Sequence, residues 1–247
     1  LSATWQASEA VRLLLDYYHL TAKDHPDLGS YIPAPTGTAG SVTRHGPWNE
    51  VPAYAQKGDF LKSDVDTFTA RLFIEPFEGF RIVNSARYGE TSNGYVVTGL
   101  RGGAFSTATG NYAPLTLSTH QGWQEGRYLV DQLNIIGVKH ALIAGAEYSD
   151  LKVRNGVYAV TNTGAFNCAA GTSTTLNAYC LTGTNRALVP GDLNNLLGRS
   201  ISRGNWDSDW RVQTLSFYLM DTIDVTPWLT IHGGVRMDAF DYSNITQ

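Results

Sequence analysis

Hydrophobic and polar residues alternate along the chain in stretches of strand length, and the connections between these stretches are alternately short and long. About seven such stretches are recognisable from their period-two alternation. The short connections lie near residues 5–9, 75–79, 136–139 and 225–228, and the long ones span 21–61, 91–116 and 151–209. Tight turns on one side and long loops rich in Gly, Ser and aromatic residues on the other are typical of a transmembrane β-barrel. The pattern therefore predicts an all-β, antiparallel fold of this type.

The alternation also assigns most charged side chains to one face of the predicted sheet. In the first stretch, Val11 and Leu13 fall on one face, whereas Arg12 and Asp16 fall on the other. The charged face predicted from all stretches contains Arg12, Asp16, Arg71, Arg87, Arg127, Asp131, Glu147, Arg236 and Asp238. A hydrophobic core cannot accept so many ionised groups, because burying an unpaired charge is very costly. A wet barrel lumen is favoured, and a soluble β-sandwich with these charges in solvent is the alternative.

The stretch at residues 125–131 is assigned to two faces in the same way. Here Tyr128 and Val130 are placed on the apolar face, and Glu125, Arg127 and Asp131 are placed on the charged face. This assignment puts Arg127 in the same predicted group as the charged residues of the other strands.

The composition agrees with a barrel and excludes one class of partner. The chain has 247 residues, of which only 16% are charged, and its formal net charge is −4. It nevertheless contains no apolar run long enough for a membrane-spanning helix. Alternating strands explain both facts, because only every second residue has to be apolar. Nucleic acid is not expected as a partner, since no basic stripe is present to replace phosphate counterions.

Cys168 and Cys180 are the two cysteines, and both lie in the longest predicted loop. Their polar, Gly- and Thr-rich surroundings favour a disulfide that staples the loop in an oxidising compartment. Two free thiols are the alternative, whereas a zinc site would need further ligands nearby. Both ends of the chain lie close to strand-like stretches, so we expect a fragment of a longer polypeptide.

No catalytic residue is predicted, and the chain is not expected to be an enzyme. The sequence has no Gly-x-Ser-x-Gly elbow, no phosphate-binding loop and no His-Glu-x-x-His pattern. The histidines are scattered without the spacing of metal ligands, so no protein-bound metal is predicted.

Four ordered segments resemble a known family. They are Leu-Asp-Tyr-Tyr-His-Leu at 15–20 with Asp24, Pro26, Asp27, Gly29 and Pro33 after it; His-Ala-Leu-Ile-Ala-Gly-Ala-Glu at 140–147; Phe-Tyr-Leu-Met-Asp-Thr-Ile at 217–223; and Gly-Gly-Val-Arg-Met-Asp at 233–238, followed by Phe240 and Asp241. In this order, on strands with short turns between them, they resemble TonB-dependent outer-membrane siderophore receptors of the ferric-catecholate type. The resemblance covers nearly the whole chain.

The resemblance implies an architecture and a set of partners. Receptors of this family have a barrel of about 22 strands around an N-terminal plug. Residues 1–247 would form about seven or eight of those strands, with the plug absent. The implied function is import of a ferric siderophore across the bacterial outer membrane, driven by the TonB–ExbB–ExbD complex through the missing plug region. No cofactor is expected, because the siderophore itself holds the iron, and outer-membrane lipid surrounds the barrel.

The long loops are expected outside the cell, and loops on a rigid scaffold usually hold binding residues. Arginine for charge and aromatic rings for stacking suit an anionic, aromatic iron chelate. The candidate ligand-binding residues are Arg44, His45, Trp48, Arg101, Tyr112, His120, Trp123, Arg203, Trp206 and Trp210. Each of them has a structural alternative, as a loop-packing residue or as part of an aromatic girdle.

A second set of candidates faces the predicted lumen: Arg71, Arg87, Arg127, Glu147, Arg236 and Asp238. The resemblance implies that these residues pair with the plug or with each other, in preference to contacting substrate. Two other classes of function stay open at this point. One is a passive porin or barrel adhesin, and the other is a soluble secreted β-sandwich that binds carbohydrate.

Overall fold

The structure is a computed structural model, and it describes only part of the chain. The described residues are 1–28, 55–101, 105–106, 111–112, 116–137, 141–163, 167–168, 171–172, 178–180, 195 and 197–247. At 100–101, 105–106, 111–112, 116, 163, 167–168, 171–172 and 178–180 the description is limited to the backbone.

The described residues form antiparallel strands of very unequal length. In chain order these are β1 Ser2–Ser8, β2 Val11–Asp24, β3 Phe60–Phe77, β4 Phe80–Arg101, β5 Phe105–Ser106, β6 Asn111–Tyr112, β7 Thr116–Gly137, β8 Leu142–Thr163, β9 Asn167–Cys168, β10 Gly171–Thr172, β11 Ala178–Cys180, β12 Gly198–Thr226 and β13 Leu229–Thr246. Among these residues, no helix has the length and hydropathy needed to cross a membrane.

The long strands pair in sequence order to form one sheet. The order is β1-β2-β3-β4-β7-β8-β12-β13, and the short β11 pairs with β7 as a ninth strand. The remaining short strands form two separate hairpins, β5 with β6 and β9 with β10. Neighbours in the sequence are therefore neighbours in the sheet, as in an up-and-down barrel wall.

The strands are longer than the alternation predicted, and one strand was missed. β12 begins at Gly198, although the third long connection was predicted to last until residue 209. β1 occupies residues that were predicted to lie partly in a short connection, and the turn lies at Glu9 and Ala10. The physical reason is that the backbone ladder continues wherever its N–H and C=O groups find partners, whether or not the side chains alternate in polarity.

Cross-strand registers define the two faces of the sheet residue by residue. One row of directly opposed residues runs across all eight long strands on the apolar face: Trp5, Leu13, Leu72, Asn84, Leu133, Ala146, Phe217 and Met237. A matching row on the polar face contains Leu14, Arg71, Ser85, Gln132, Glu147, Ser216 and Asp238. Directly opposed residues share a face, so this assignment follows from the pairing alone.

On β12 the two faces differ sharply in exposure. On the apolar face Phe217 and Leu219 are 49% and 48% exposed, whereas the adjacent Ser216 and Tyr218 on the polar face are 0% and 9% exposed. Other members of the apolar row, such as Leu133 and Met237, are exposed as well, and a monomeric soluble protein rarely leaves a large contiguous apolar patch to water. The apolar face is therefore the side that needs a lipid or protein environment.

The register corrects the predicted faces of β7. Arg127 lies opposite Glu90 and Lys152, and Asp131 lies opposite Ala86 and Tyr148, all on the apolar face. Glu125, opposite Ser92 and Arg154, follows the same face, so the prediction that Glu125, Arg127 and Asp131 lie on the charged face is wrong. β7 contains apolar residues on both faces, and an error of one residue in register moves every side chain to the opposite face.

Candidate functional site

Two arginines of the polar face are hydrogen-bonded to side chains of neighbouring strands. Arg71 Nη1 donates to Asp16 Oδ2 at 3.0 Å, and Arg87 Nε donates to Thr69 Oγ1 at 3.1 Å. Both pairs join neighbouring strands. Both guanidiniums therefore lie on the predicted charged face, and each is held there by a hydrogen bond to the neighbouring strand.

A second polar-face cluster centres on Arg236 of β13. Its guanidinium donates to Asp238 at 2.8 Å, to Ser216 Oγ at 2.8 Å and to Glu147 at 3.1 Å. Both ion pairs are partly open, since the Arg236 side chain is 44% exposed. Arg236 can therefore accept a further anionic partner from the space in front of this face.

Two tyrosines lie across glycines on the polar face, a feature that the sequence did not predict. Tyr218 lies over Gly145, where a Cβ would overlap its ring, and its hydroxyl donates to Asn134 at 2.5 Å. Tyr128 lies over Gly89 in the same way, and its hydroxyl lies 2.9 Å from Thr67 Oγ1. Each ring covers the backbone left open by glycine on the neighbouring strand, and its hydrogen bond reaches a third strand. The one signal for these contacts in the sequence is that each tyrosine belongs to the strand next to the one that contains its glycine.

A buried ion pair lies at the end of the strands where the long connections begin. Arg199 and Asp59 contact each other directly, and their side chains are 3% and 0% exposed. Arg199 also donates to Thr98 at 2.7 Å, to Thr119 at 3.0 Å and to Asn162 at 3.0 Å. The guanidinium is therefore surrounded by oxygen acceptors from three other strands.

The Asp59 carboxylate accepts three hydrogen bonds in addition to its contact with Arg199. Its Oδ2 accepts the backbone N–H groups of Gln56 at 2.9 Å and Thr98 at 3.0 Å, and its Oδ1 accepts the Thr98 hydroxyl at 3.0 Å. The Gln56 side chain in turn accepts the N–H of Leu197 at 3.1 Å. These bonds fix the segment before β3 and the residue before β12 against the sheet, in a small core that also buries Val96 and Leu117. Sequence reasoning missed this network.

The structure brings together two of the predicted ligand-binding residues. The guanidinium of Arg203 lies 3.7 Å from the centre of the Trp123 ring and donates to Glu125 at 2.6 Å. The hydrogen bond from Arg203 lowers the pKa of the Glu125 carboxyl below its ordinary value. The Trp123 ring is 7% exposed, and its Nε1 has no hydrogen-bond partner among the described residues. Trp206 lies opposite Gly156, which also adjoins Trp123.

These residues and the other described candidates do not share a face. Arg203, Trp123 and Trp206 follow the register of the apolar face, beyond its apolar part. His120 and Trp210 follow the polar face, where His120 Nε2 lies 3.0 Å from Ser118 Oγ. The described candidates thus form no single ligand-binding cluster.

Several predicted residues lie outside the residues or side chains that the structure describes. Arg44, His45 and Trp48 lie outside the described residues. Arg101 and Tyr112 belong to β4 and β6, but their side chains are not described. The same holds for Cys168 in β9 and Cys180 in β11, so the disulfide remains a prediction. Among the described residues, no group of His, Cys, Asp and Glu is arranged to hold a metal ion.

No family model matches the chain. It is, however, 28% identical to a probable TonB-dependent siderophore receptor, PiuA, of Acinetobacter baumannii, over 97% of this chain and 32% of that protein. It is 23% identical to the catecholate siderophore receptor Fiu of Escherichia coli K12, over 99% of this chain and 32% of that protein. The chain spans about a third of the length of these relatives.

The fold agrees with a solved structure. The crystal structure of the ferric-catecholate import receptor Fiu from E. coli K12, in its open form, matches with a TM-score of 0.69 and 22% identity, over 98% of this chain and 36% of that chain. The predicted all-β antiparallel barrel wall is confirmed, although this match does not confirm the total of 22 strands. The predicted resemblance is also confirmed: over nearly its whole length the chain is similar to a part of two proteins named as siderophore receptors, PiuA and Fiu.

Proposed function

We propose that the chain is a section of the barrel wall of an outer-membrane TonB-dependent receptor that imports a ferric siderophore. The observation that supports this most strongly is the two-faced sheet, whose rows stay in register across all its long strands, together with the similarity to siderophore receptors along nearly the whole chain. The homologues are transport receptors and not enzymes.

The apolar face would contact the lipid of the outer membrane. On β3, Phe68 and Phe77 are both exposed aromatic residues, and the distance between them along the chain matches the about 9–11 residues that a tilted strand needs to cross hydrocarbon. Phe77 lies beside the β3–β4 turn, so the short turns would face the periplasm and the long connections would face the outside.

The polar face would line the lumen and surround the plug. Arg71, Arg87, Glu147, Arg236 and Asp238 lie on this face. Partly exposed arginines such as Arg236 would exchange or share their carboxylate partners with a plug held in the lumen. Import would draw energy from the inner membrane through the TonB–ExbB–ExbD complex, and iron would pass as cargo inside its siderophore.

The test is growth under iron limitation on defined siderophores, with the full-length gene present or deleted. We expect one or more catecholate siderophores to support growth only when both this gene and TonB are intact. Growth that needs the gene but not TonB would favour a passive porin. If no siderophore restores growth in a gene-dependent manner, import of iron chelates by this protein is wrong.

A further inference from the structure

Four arginines occupy successive rows of the polar face on β2, β3 and β4. Arg87 lies on β4, and Arg71 lies on β3 one row closer to the β3–β4 turn. Arg12 lies on β2 one row further in the same direction, and Arg81 lies on β4 one row beyond that, beside the turn. We call these four residues the arginine series. It runs from the side of the long connections toward the short turns.

The first three members are diagonal neighbours on adjacent strands. Ser85 stands directly opposite Arg71, and Arg87 is two residues further along β4. Leu14 stands opposite Arg71 on its other side, and Arg12 is two residues further along β2. Diagonal neighbours of this kind are about 7–8 Å apart, and three rows advance about 20 Å along a strand. An anion with several charged oxygens can therefore contact one guanidinium before it leaves the previous one.

Two members of the series carry their own carboxylate partners. Arg71 pairs with Asp16 at 3.0 Å, and Arg81 pairs with Glu75 at 3.3 Å. These carboxylates compensate the charge of both arginines and weaken their attraction for any further anion.

The other two members have no such partner. Arg87 donates to the Thr69 hydroxyl, and the Arg12 guanidinium lies 4.6 Å from the centre of the Phe73 ring. Both arginines are exposed, and neither forms an ion pair with a carboxylate of any described residue. Uncompensated and compensated guanidiniums therefore alternate along the series.

The excess of positive charge is confined to this part of the sheet. In the rows of the arginine series, the polar face of β7 presents uncharged side chains, from Val130 to Ile136. On β8, β12 and β13 the charged residues of these rows are Glu147, Arg236 and Asp238, so there the carboxylates outnumber the arginine. An anion in front of this face is therefore drawn toward β2–β4 and away from β8–β13.

A hollow of about 360 Å³ lies on the polar face at the outer end of the series, and Arg71 and Arg87 are part of its lining. Tyr18, Thr67 and Tyr128 line it as well. The Tyr18 side chain is 55% exposed, and its hydroxyl has no hydrogen bond with any described residue. Guanidinium and hydroxyl groups donate to anionic oxygens, and tyrosine rings pack against other aromatic rings. The hollow thus suits a ligand that is both anionic and aromatic.

We propose that the arginine series is a path along the lumen wall for an anionic iron catecholate, with the hollow at its outer end and Arg12 near its inner end. A guanidinium matches paired anionic oxygens with two parallel hydrogen bonds. Passage needs attraction strong enough for entry, but divided over several weak sites so that the anion can leave. The alternation of uncompensated and compensated arginines provides this. The inference rests on the proposed function, because the chelate has to cross the lumen.

The test compares binding and uptake by cells that carry the full-length receptor. The probe is the iron(III) complex of dihydroxybenzoate, labelled with radioactive iron. Its Kd is measured in cells without TonB, and its maximal uptake rate is measured in cells with TonB. We expect Arg12→Gln and Arg87→Gln each to lower the maximal uptake rate by about tenfold, because each removes a charged hydrogen bond to the passing anion. The Kd for Arg12→Gln should be unchanged, since this residue lies two rows further in than Arg87.

Two variants separate charge on this face from other effects. The matched control is Arg127→Gln, which removes an exposed arginine from the apolar face of β7 and should leave uptake unchanged. Arg12→Lys keeps the positive charge and should recover most of the uptake lost in Arg12→Gln. Heat-modifiable migration on a gel verifies that each variant is folded and present in equal amount.

Three results would overturn the path. The first is equal uptake by wild type and both glutamine variants. The second is a Kd raised by Arg12→Gln as much as its uptake is lowered, which would place the effect at initial binding. The third is a lower unfolding temperature for purified Arg12→Gln than for Arg127→Gln, which would assign Arg12 to holding another segment of the same polypeptide.

Failure of the path can be told apart from failure of the proposed function. If wild-type cells take up neither the probe nor any other iron catecholate in a TonB-dependent manner, the proposed function is wrong and the path is wrong with it. If wild-type uptake depends on TonB and neither glutamine variant lowers it, the path alone is wrong.

Discussion

Removing one partner of the buried Arg199–Asp59 pair should release the segment before β3 from the sheet. In Arg199→Met, Asp59 keeps its charge at 0% exposure and loses its only described cationic partner. Breaking a buried ion pair in this way costs about 3–5 kcal/mol, because the remaining charge is left without compensation. At about 1.4 kcal/mol per factor of ten, 3 kcal/mol corresponds to an opening equilibrium raised by about 10²-fold.

Hydrogen exchange measured by mass spectrometry on the full-length receptor provides the assay. The amides of Gln56 and Thr98 donate to Asp59, and the amide of Leu197 donates to Gln56. These amides should exchange about 10²-fold faster in Arg199→Met, whereas the centre of the strands should be unaffected.

Two further variants serve as a control for loss of an exposed ion pair and as a rescue of the buried one. Arg203→Met removes an exposed guanidinium whose partner Glu125 is also exposed, at 46% and 44%, so it should change protection by less than about tenfold. The double variant Asp59→Leu with Arg199→Met removes both charges and should recover much of the lost protection. If Arg199→Met leaves the three amides as protected as in wild type, the ion pair does not hold this segment.

Three further outcomes follow from the geometry. Gly145→Ala should lower the free energy of unfolding by about 1–3 kcal/mol, because the new methyl group overlaps a tyrosine ring; thermal unfolding measures this, and Gly233→Ala, with nothing within 4 Å, should be neutral. Asp131→Leu should raise resistance to urea in vesicles by about 1 kcal/mol, because its carboxylate faces the lipid side; a clear loss would contradict that placement. Because the hydrogen bond from Arg203 lowers the pKa of Glu125, the stabilisation that this pair gives the fold is present above the unfolded pKa, about 4.3, and is lost as the pH falls through the lower folded pKa. The fluorescence of Trp123, obtained by difference from Trp123→Phe, should therefore change only below about pH 4.3. A transition near neutral pH would refute this.

Local alternation was sufficient to place side chains where one face of a strand is clearly apolar. On β12 and β13, Phe217, Leu219 and Val235 alternate with polar residues, and the structure keeps the predicted faces. On β7 the pattern was ambiguous, because Leu129 and Leu133 compete with Tyr128 and Val130. There the hydrogen-bonded register to β4 and β8 decided the faces, and it moved Arg127 to the lipid side.

The sequence by itself determined the class of fold and the positions of the tight turns within 75–79 and 225–228, because these depend on neighbours along the chain. Only the tertiary structure revealed the Arg199–Asp59 pair, whose members are 140 residues apart, and the position of Arg127 on the apolar face. Both depend on which residues of different strands stand opposite each other. A strand's own sequence gives the period of its side chains, but the register with its neighbours gives their partners.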